Sequence, residues 1–116
     1  MGPLARYTGT VVGLIAGLSA GAVLADRHCY PAQDAYFAAR LDLLANGAVC
    51  ETQIEAASAT LRSALFEAEI CGCDALILHF RDLVEVGEDG TRDCNDRAST
   101  LLNAEAATKA VVLSCH

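Results

Sequence analysis

Cys71-Gly72-Cys73 splits the chain into two halves with the same cysteine spacing. Counting outward, Cys50 and Cys29 precede it and Cys94 and Cys115 follow it, so the successive gaps are 21, 21, 2, 21 and 21. The cysteines read as end-marks of four segments of equal length. Residues between them are rich in Ala and Leu, and after residue 28 the one proline is Pro31, placed where a first helical turn begins. This composition favours helices and gives strands little support.

Apolar residues recur at helical steps in each segment. In the first, Phe37, Leu41, Leu44 and Ala48 form the expected inward stripe, and Asn46-Gly47 ends it. In the second the stripe is Ile54, Ser58, Leu61, Leu65 and Ala68, with Glu51 at the start, where a helix dipole favours an acid. In the third it is Leu76, Phe80, Leu83 and Val84, closed by the turn Glu88-Asp89-Gly90-Thr91. The fourth is expected to start with Asn95 or Asp96 as its cap and to turn Ala98, Leu101, Leu102 and Val112 inward.

Four helices of about 18 residues, each about 27 Å long, fold most simply as an up-down-up-down bundle. The reading is therefore an all-α, disulfide-stapled four-helix bundle made of two helical hairpins. The halves share spacing without sharing residues: aligned, they place Tyr36 opposite Phe80 and match in little besides the cysteines.

The bundle sorts the cysteines by end. Cys29, Cys71, Cys73 and Cys115 fall at one end, and Cys50 and Cys94 at the other. A disulfide needs Cα atoms roughly 4.4 to 6.8 Å apart, which excludes pairs between ends. The fifteen connectivities open to six cysteines reduce to three, all containing Cys50–Cys94. Pairing Cys71 with Cys73 is strained, which leaves Cys29–Cys71 with Cys73–Cys115, or the crossed set. The uncrossed set is favoured because the start of the first helix and the end of the second are neighbours in a hairpin.

The start of the chain has the pattern of an export signal. Val11 to Leu24 contains no acid or base, and Val23-Leu24-Ala25 supplies the small residues that a signal peptidase accepts. Residues 1–25 are therefore read as a signal peptide and 26–116 as a single helical domain. The uncharged run Tyr7 to Ala25 also approaches the length of a membrane span. Its Gly and Ala content, and the Asp26-Arg27 that follows in place of a basic cluster, favour cleavage over an anchor. Export to the periplasm or the exterior puts six thiols in an oxidising compartment, where an even count reads as three disulfides. A core of about 90 residues has a thin margin over chain entropy and benefits from such staples.

The charge excludes some partners. The chain has 15 acids and 8 bases, of which only Arg6 lies in the leader, so the mature protein carries −8 with His neutral. Nucleic acid and anionic membrane surfaces are poor partners for it. The acids Glu85, Glu88, Asp89, Asp93 and Asp96 gather around the third connection, as a solvated loop, a dock for a basic protein or a cation site. The order Asp89-Gly90-Thr91-Arg92-Asp93 is not that of a calcium loop.

No catalytic signature is present. The sequence has no phosphate loop, nucleophile elbow or zinc-protease helix motif. Glu67 and Glu69, two apart on a helix, point to different faces, and His79 has no nucleophile at a recognisable spacing and reads as a boundary residue. A minor alternative is a zinc or copper site from His28, Cys71, Cys73 and His116 at the four-cysteine end. Oxidation of the thiols removes it.

The reading is an exported, non-enzymatic protein without a cofactor, which acts by binding another protein. The alternative is a carrier of lipid or another small apolar ligand. Phe66 and Ile70 of the second helix, Tyr36 of the first and Ile77 of the third lie off the main stripes and are the expected partner-binding patch.

Overall fold

A computed structural model describes residues 29–115. The expected signal peptide, His28 and His116 lie outside the described residues. The fold is all-α: α1 is Tyr30–Leu43, α2 Cys50–Cys71, α3 Asp74–Glu88, α4 Cys94–Leu102 and α5 Glu105–Leu113. The expected bundle of four segments is present, with the fourth segment divided into α4 and α5.

Local chemistry sets most boundaries. Pro31 occupies the first turn of α1, where its missing N–H costs nothing. Gly47 in the first connection and Gly72 after α2 have φ of 80° and 76°, the left-handed region where glycine carries no Cβ penalty. Gly72 N–H donates to the carbonyls of Ala68 and Glu69 and closes α2 between its two flanking cysteines. The turn after α3 is fixed by Asp89, whose Oδ1 accepts from Thr91 N–H at 3.0 Å. Asp93 caps α4, its carboxylate accepting from the amides of Asn95 and Asp96. The cap thus lies two residues before the expected Asn95, because the Asp93 side chain reaches both free amides.

The three disulfides are Cys29–Cys71, Cys50–Cys94 and Cys73–Cys115, with Cα separations of 5.3, 6.2 and 5.6 Å. This is the uncrossed set, and it fits an oxidising, extracellular type of environment. α2 is tied at both ends, by Cys50 and by Cys71.

The core confirms the stripes of α2 and α3. Ile54, Ser58, Leu61 and Ala68 are buried, Leu65 is half-buried, and Leu76, Phe80, Leu83 and Val84 are buried. Ala32 and Ala39 of α1 face a core shared with Ala57, Ala64 and Ala68 of α2, all at 1% exposure or less, and side chains this small let the helix backbones approach closely.

The first stripe needs correction. Leu41 and Leu44 are 71% and 56% exposed, Ala48 is exposed, and Phe37 is half-buried. The buried face of α1 is Ala32, Tyr36, Ala39 and Leu43, the same four-three-four spacing set five residues earlier and so on a different face of the helix. Side-chain bulk pointed to the wrong face because the real one is filled by alanines and a tyrosine.

The fourth segment also differs. The helix breaks at Asn103-Ala104, where Asn103 N–H bonds back to Ser99 and Ala104 N–H reaches Leu101 only at 3.4 Å. The carbonyls at the break are also met by Tyr36, whose hydroxyl lies 2.7 Å from Leu101 O and 3.3 Å from Leu102 O. Leu101 and Val112 are buried as expected, and Ala98 and Leu102 are half-buried.

Candidate functional site

With one face of α2 committed to the core, the opposite face carries Ala59, Ser63, Phe66 and Ile70 at steps of four, three and four, all exposed. Phe66 and Ile70 are 60% and 61% exposed and sit one turn apart. They are half of the expected patch. Tyr36 does not belong to it: its ring is 1% exposed and its hydroxyl is engaged with α4. Ile77 is half-buried against the core and contributes only its edge. Leu78 of α3, 57% exposed, was not anticipated. Its signal was its position two residues past Leu76, on the side of the helix away from Phe80.

Below this patch, α2, α3 and α4 bound an open groove of about 530 Å³. Its floor includes Arg97, a charged side chain that the helical pattern gave no reason to place inside. Arg97 is 5% exposed. Its Nε donates to Arg92 O at 3.2 Å and its Nη1 to Gly87 O at 3.0 Å, while Nη2 meets both Glu51 carboxylate oxygens at 3.0 and 3.2 Å. The bond to Gly87 ties α4 to the last turn of α3. The guanidinium is suited to this because it keeps its charge and presents donors in several directions.

Arg62, at the groove edge, makes a two-point contact with Glu88, both distances being 2.6 Å. The groove also holds Glu55, which has no hydrogen-bond or ion-pair partner among the described residues, and Ser58, whose buried Oγ has none either. Ser58 lies against Gly87, where an added Cβ would collide with its Oγ. Ile54 and Ala59 supply apolar wall.

The acidic cluster around the third connection is largely used up within the fold. Glu88 pairs with Arg62, Asp96 with Arg92 at 2.8 Å, Asp93 caps α4, and the Thr91 bonds that Asp89 accepts hold its carboxyl below the ordinary range. Among the described residues no group of three His, Cys, Asp or Glu side chains is arranged to hold a metal ion. Cys71 and Cys73 are both oxidised, so the alternative metal site loses its thiolates.

His79 sits between α3 and α5 as the expected boundary residue. Its Nε2 lies 2.8 Å from Thr108 Oγ1, and Thr108 in turn donates to Ala104 O at 2.8 Å. The hydroxyl hydrogen being engaged there, Nε2 carries the proton and donates. Burial lowers the imidazole pKa, with Asp82 opposing. Thr108 is fully buried, and His79 is half-buried at the edge of this contact.

Comparison of the chain with protein-family models, with characterised proteins and with solved structures finds no match.

Proposed function

We propose that this protein is an exported, non-enzymatic binding protein that engages another protein through the outward face of α2. The observation that carries this reading is the pair Phe66 and Ile70, exposed one turn apart on a helix joined to the rest of the bundle by a disulfide at each end. A helix pinned at both ends loses little further freedom when it binds, so more of the contact energy appears as affinity. Aromatic anchors at the centre of a patch are the usual sources of that energy.

Two further features support it. The acidic charge favours a basic or neutral protein surface over nucleic acid. A carrier of apolar ligands needs an apolar hollow, whereas the groove between α2, α3 and α4 carries five charged side chains among its lining residues.

The reading is tested by crosslinking the wild-type protein and its Phe66→Ala and Ile70→Ala variants to their neighbours in the exported fraction of the native host. Each substitution is expected to weaken one specific protein complex while leaving the melting temperature nearly unchanged, since both side chains are mostly in solvent. Loss of stability with no change in any complex would place them in a structural role and end the proposal.

A further inference from the structure

We infer that the groove between α2, α3 and α4 receives a cationic side chain, lysine or arginine, from the protein partner. This rests on the reading of α2 as the binding helix and adds the chemistry that the partner must present.

Glu51 and Glu88 are each held by an arginine, Arg97 and Arg62, through contacts to both carboxylate oxygens. Glu55 is the remaining acid in the groove and has no partner among the described residues, so three carboxylates against two guanidiniums leave one negative charge over. An anion would have to displace Glu51 or Glu88 from its arginine. A cation displaces nothing.

Ser58 is the independent observation. It is 6% exposed, lines the groove, and has a buried Oγ to which the fold brings no hydrogen-bond partner. A hydroxyl withdrawn from water is normally paired. Ser58 lies one helical turn from Glu55 on α2 with its Oγ packed against Gly87 at the groove wall, so a single ammonium or guanidinium, with several donors, pairs with the carboxylate and reaches the hydroxyl by parting that contact. Ile54 and Ala59 flank the approach and match the methylene stem of such a side chain.

The groove and the apolar patch lie along one face of α2, with Arg62 at the groove edge between them. Phe66 lies one turn beyond Arg62 and three turns, about 16 Å, beyond Glu55 on the same face of α2, so an extended partner segment that covers Phe66 places a residue about five positions away over Glu55. Basic and apolar recognition are then two parts of one interface.

The test is an amide-shift titration of the intact, oxidised protein with Nα-acetyl-arginine methylamide and Nα-acetyl-lysine methylamide. The citrulline and acetyl-lysine analogues serve as uncharged controls, and inorganic phosphate as the anionic one. The charged probes are expected to shift the amides of Glu55, Ser58 and Gly87, to weaken with added salt, and to bind about two- to fivefold less well to Glu55→Gln, the range of a solvent-accessible ion pair. Glu55 is exposed, so this variant keeps the wild-type melting temperature. Equal binding of the uncharged analogues, occupation by phosphate, or no shift up to the solubility of the charged probes overturns the inference. In the protein complex, weakening by Phe66→Ala but not by Glu55→Gln removes the groove and leaves the α2 interface standing. Probe binding without any protein complex does the reverse.

Discussion

The hydroxyl of Tyr36 on α1 donates to the carbonyl of Leu101 on α4 across 2.7 Å, joining two residues 65 positions apart in the chain. The bond falls where the fourth segment breaks, and Leu102 O is also within reach at 3.3 Å. A buried carbonyl needs a donor, and at the break Leu101 O keeps only a long backbone bond from Ala104, at 3.4 Å. Tyr36 supplies the donor and holds α4 and α5 as two helices.

Tyr36→Phe keeps the ring and removes the bond, so unfolding in denaturant is expected to show a loss of about 1–2 kcal/mol. Burial pushes the Tyr36 pKa up to about 12, with Arg40 opposing. The unfolded chain ionises near pH 10 and the folded one near pH 12. Stability is therefore full below pH 10 and falls as pH rises through this window, by about 2–3 kcal/mol. The slope is expected to flatten in Tyr36→Phe, and an identical slope in both proteins would assign the loss to other groups.

His79 gives the opposite dependence. Its folded pKa lies below that of the unfolded chain because burial disfavours the charged ring. Its contribution is present above pH 6.5 and is lost as pH falls from there through the folded pKa. His79→Gln, which can still donate toward Thr108, is expected to remove this part of the acid sensitivity in denaturant titrations between pH 7 and 5.

Gly87 and Ser58 form a coupled pair. Gly to Ala in a helix ordinarily stabilises by about 1 kcal/mol, yet a Cβ at Gly87 would collide with Ser58 Oγ. Gly87→Ala is expected to destabilise the wild type by about 1–2 kcal/mol. In a Ser58→Ala background the hydroxyl is gone and the same change is expected to be neutral or stabilising. Thermal unfolding of the four proteins in the cycle measures the coupling, and additivity of the two changes would contradict the contact.

Arg97 and Glu51 are expected to differ sharply although they form one ion pair. The Arg97 side chain is 6% exposed and that of Glu51 is 70% exposed. Arg97→Met strands the Gly87 and Arg92 carbonyls and is expected to cost about 2–4 kcal/mol. Glu51→Gln removes a charge screened by water and is expected to cost about 1 kcal/mol or less. Equal losses would show that the charge pair, and not the carbonyl contacts, anchors α4.

The particular residues show what could be read in advance. Cysteines at equal spacing marked helix ends because disulfide geometry depends only on which ends meet, and α2 and α3 were legible because leucine, isoleucine and phenylalanine make their stripes. The buried face of α1 differs from the expected one because alanine packs as well as leucine where two helices approach closely, and hydropathy alone does not show that approach. The break at Asn103-Ala104 has no glycine or proline and is held by a bond to Tyr36, so it had no local signal. Burial of Arg97 depends on the Gly87 and Arg92 carbonyls, which only the folded loop places around it. Phe66 and Ile70 were legible because they depart from the stripe of their own helix, whereas Tyr36 departs from an expected stripe that lies on the wrong face of α1.

The central claim is an oxidised, exported bundle whose staples hold α2 at both ends. Intact mass and non-reducing peptide mapping of protein from the exported fraction test it most directly. The account predicts loss of residues 1–25, a mass six hydrogens below the reduced value, and linked peptides for Cys29–Cys71, Cys50–Cys94 and Cys73–Cys115. Free thiols at Cys71 and Cys73, or a peptide joining Cys29 to Cys73, would contradict it.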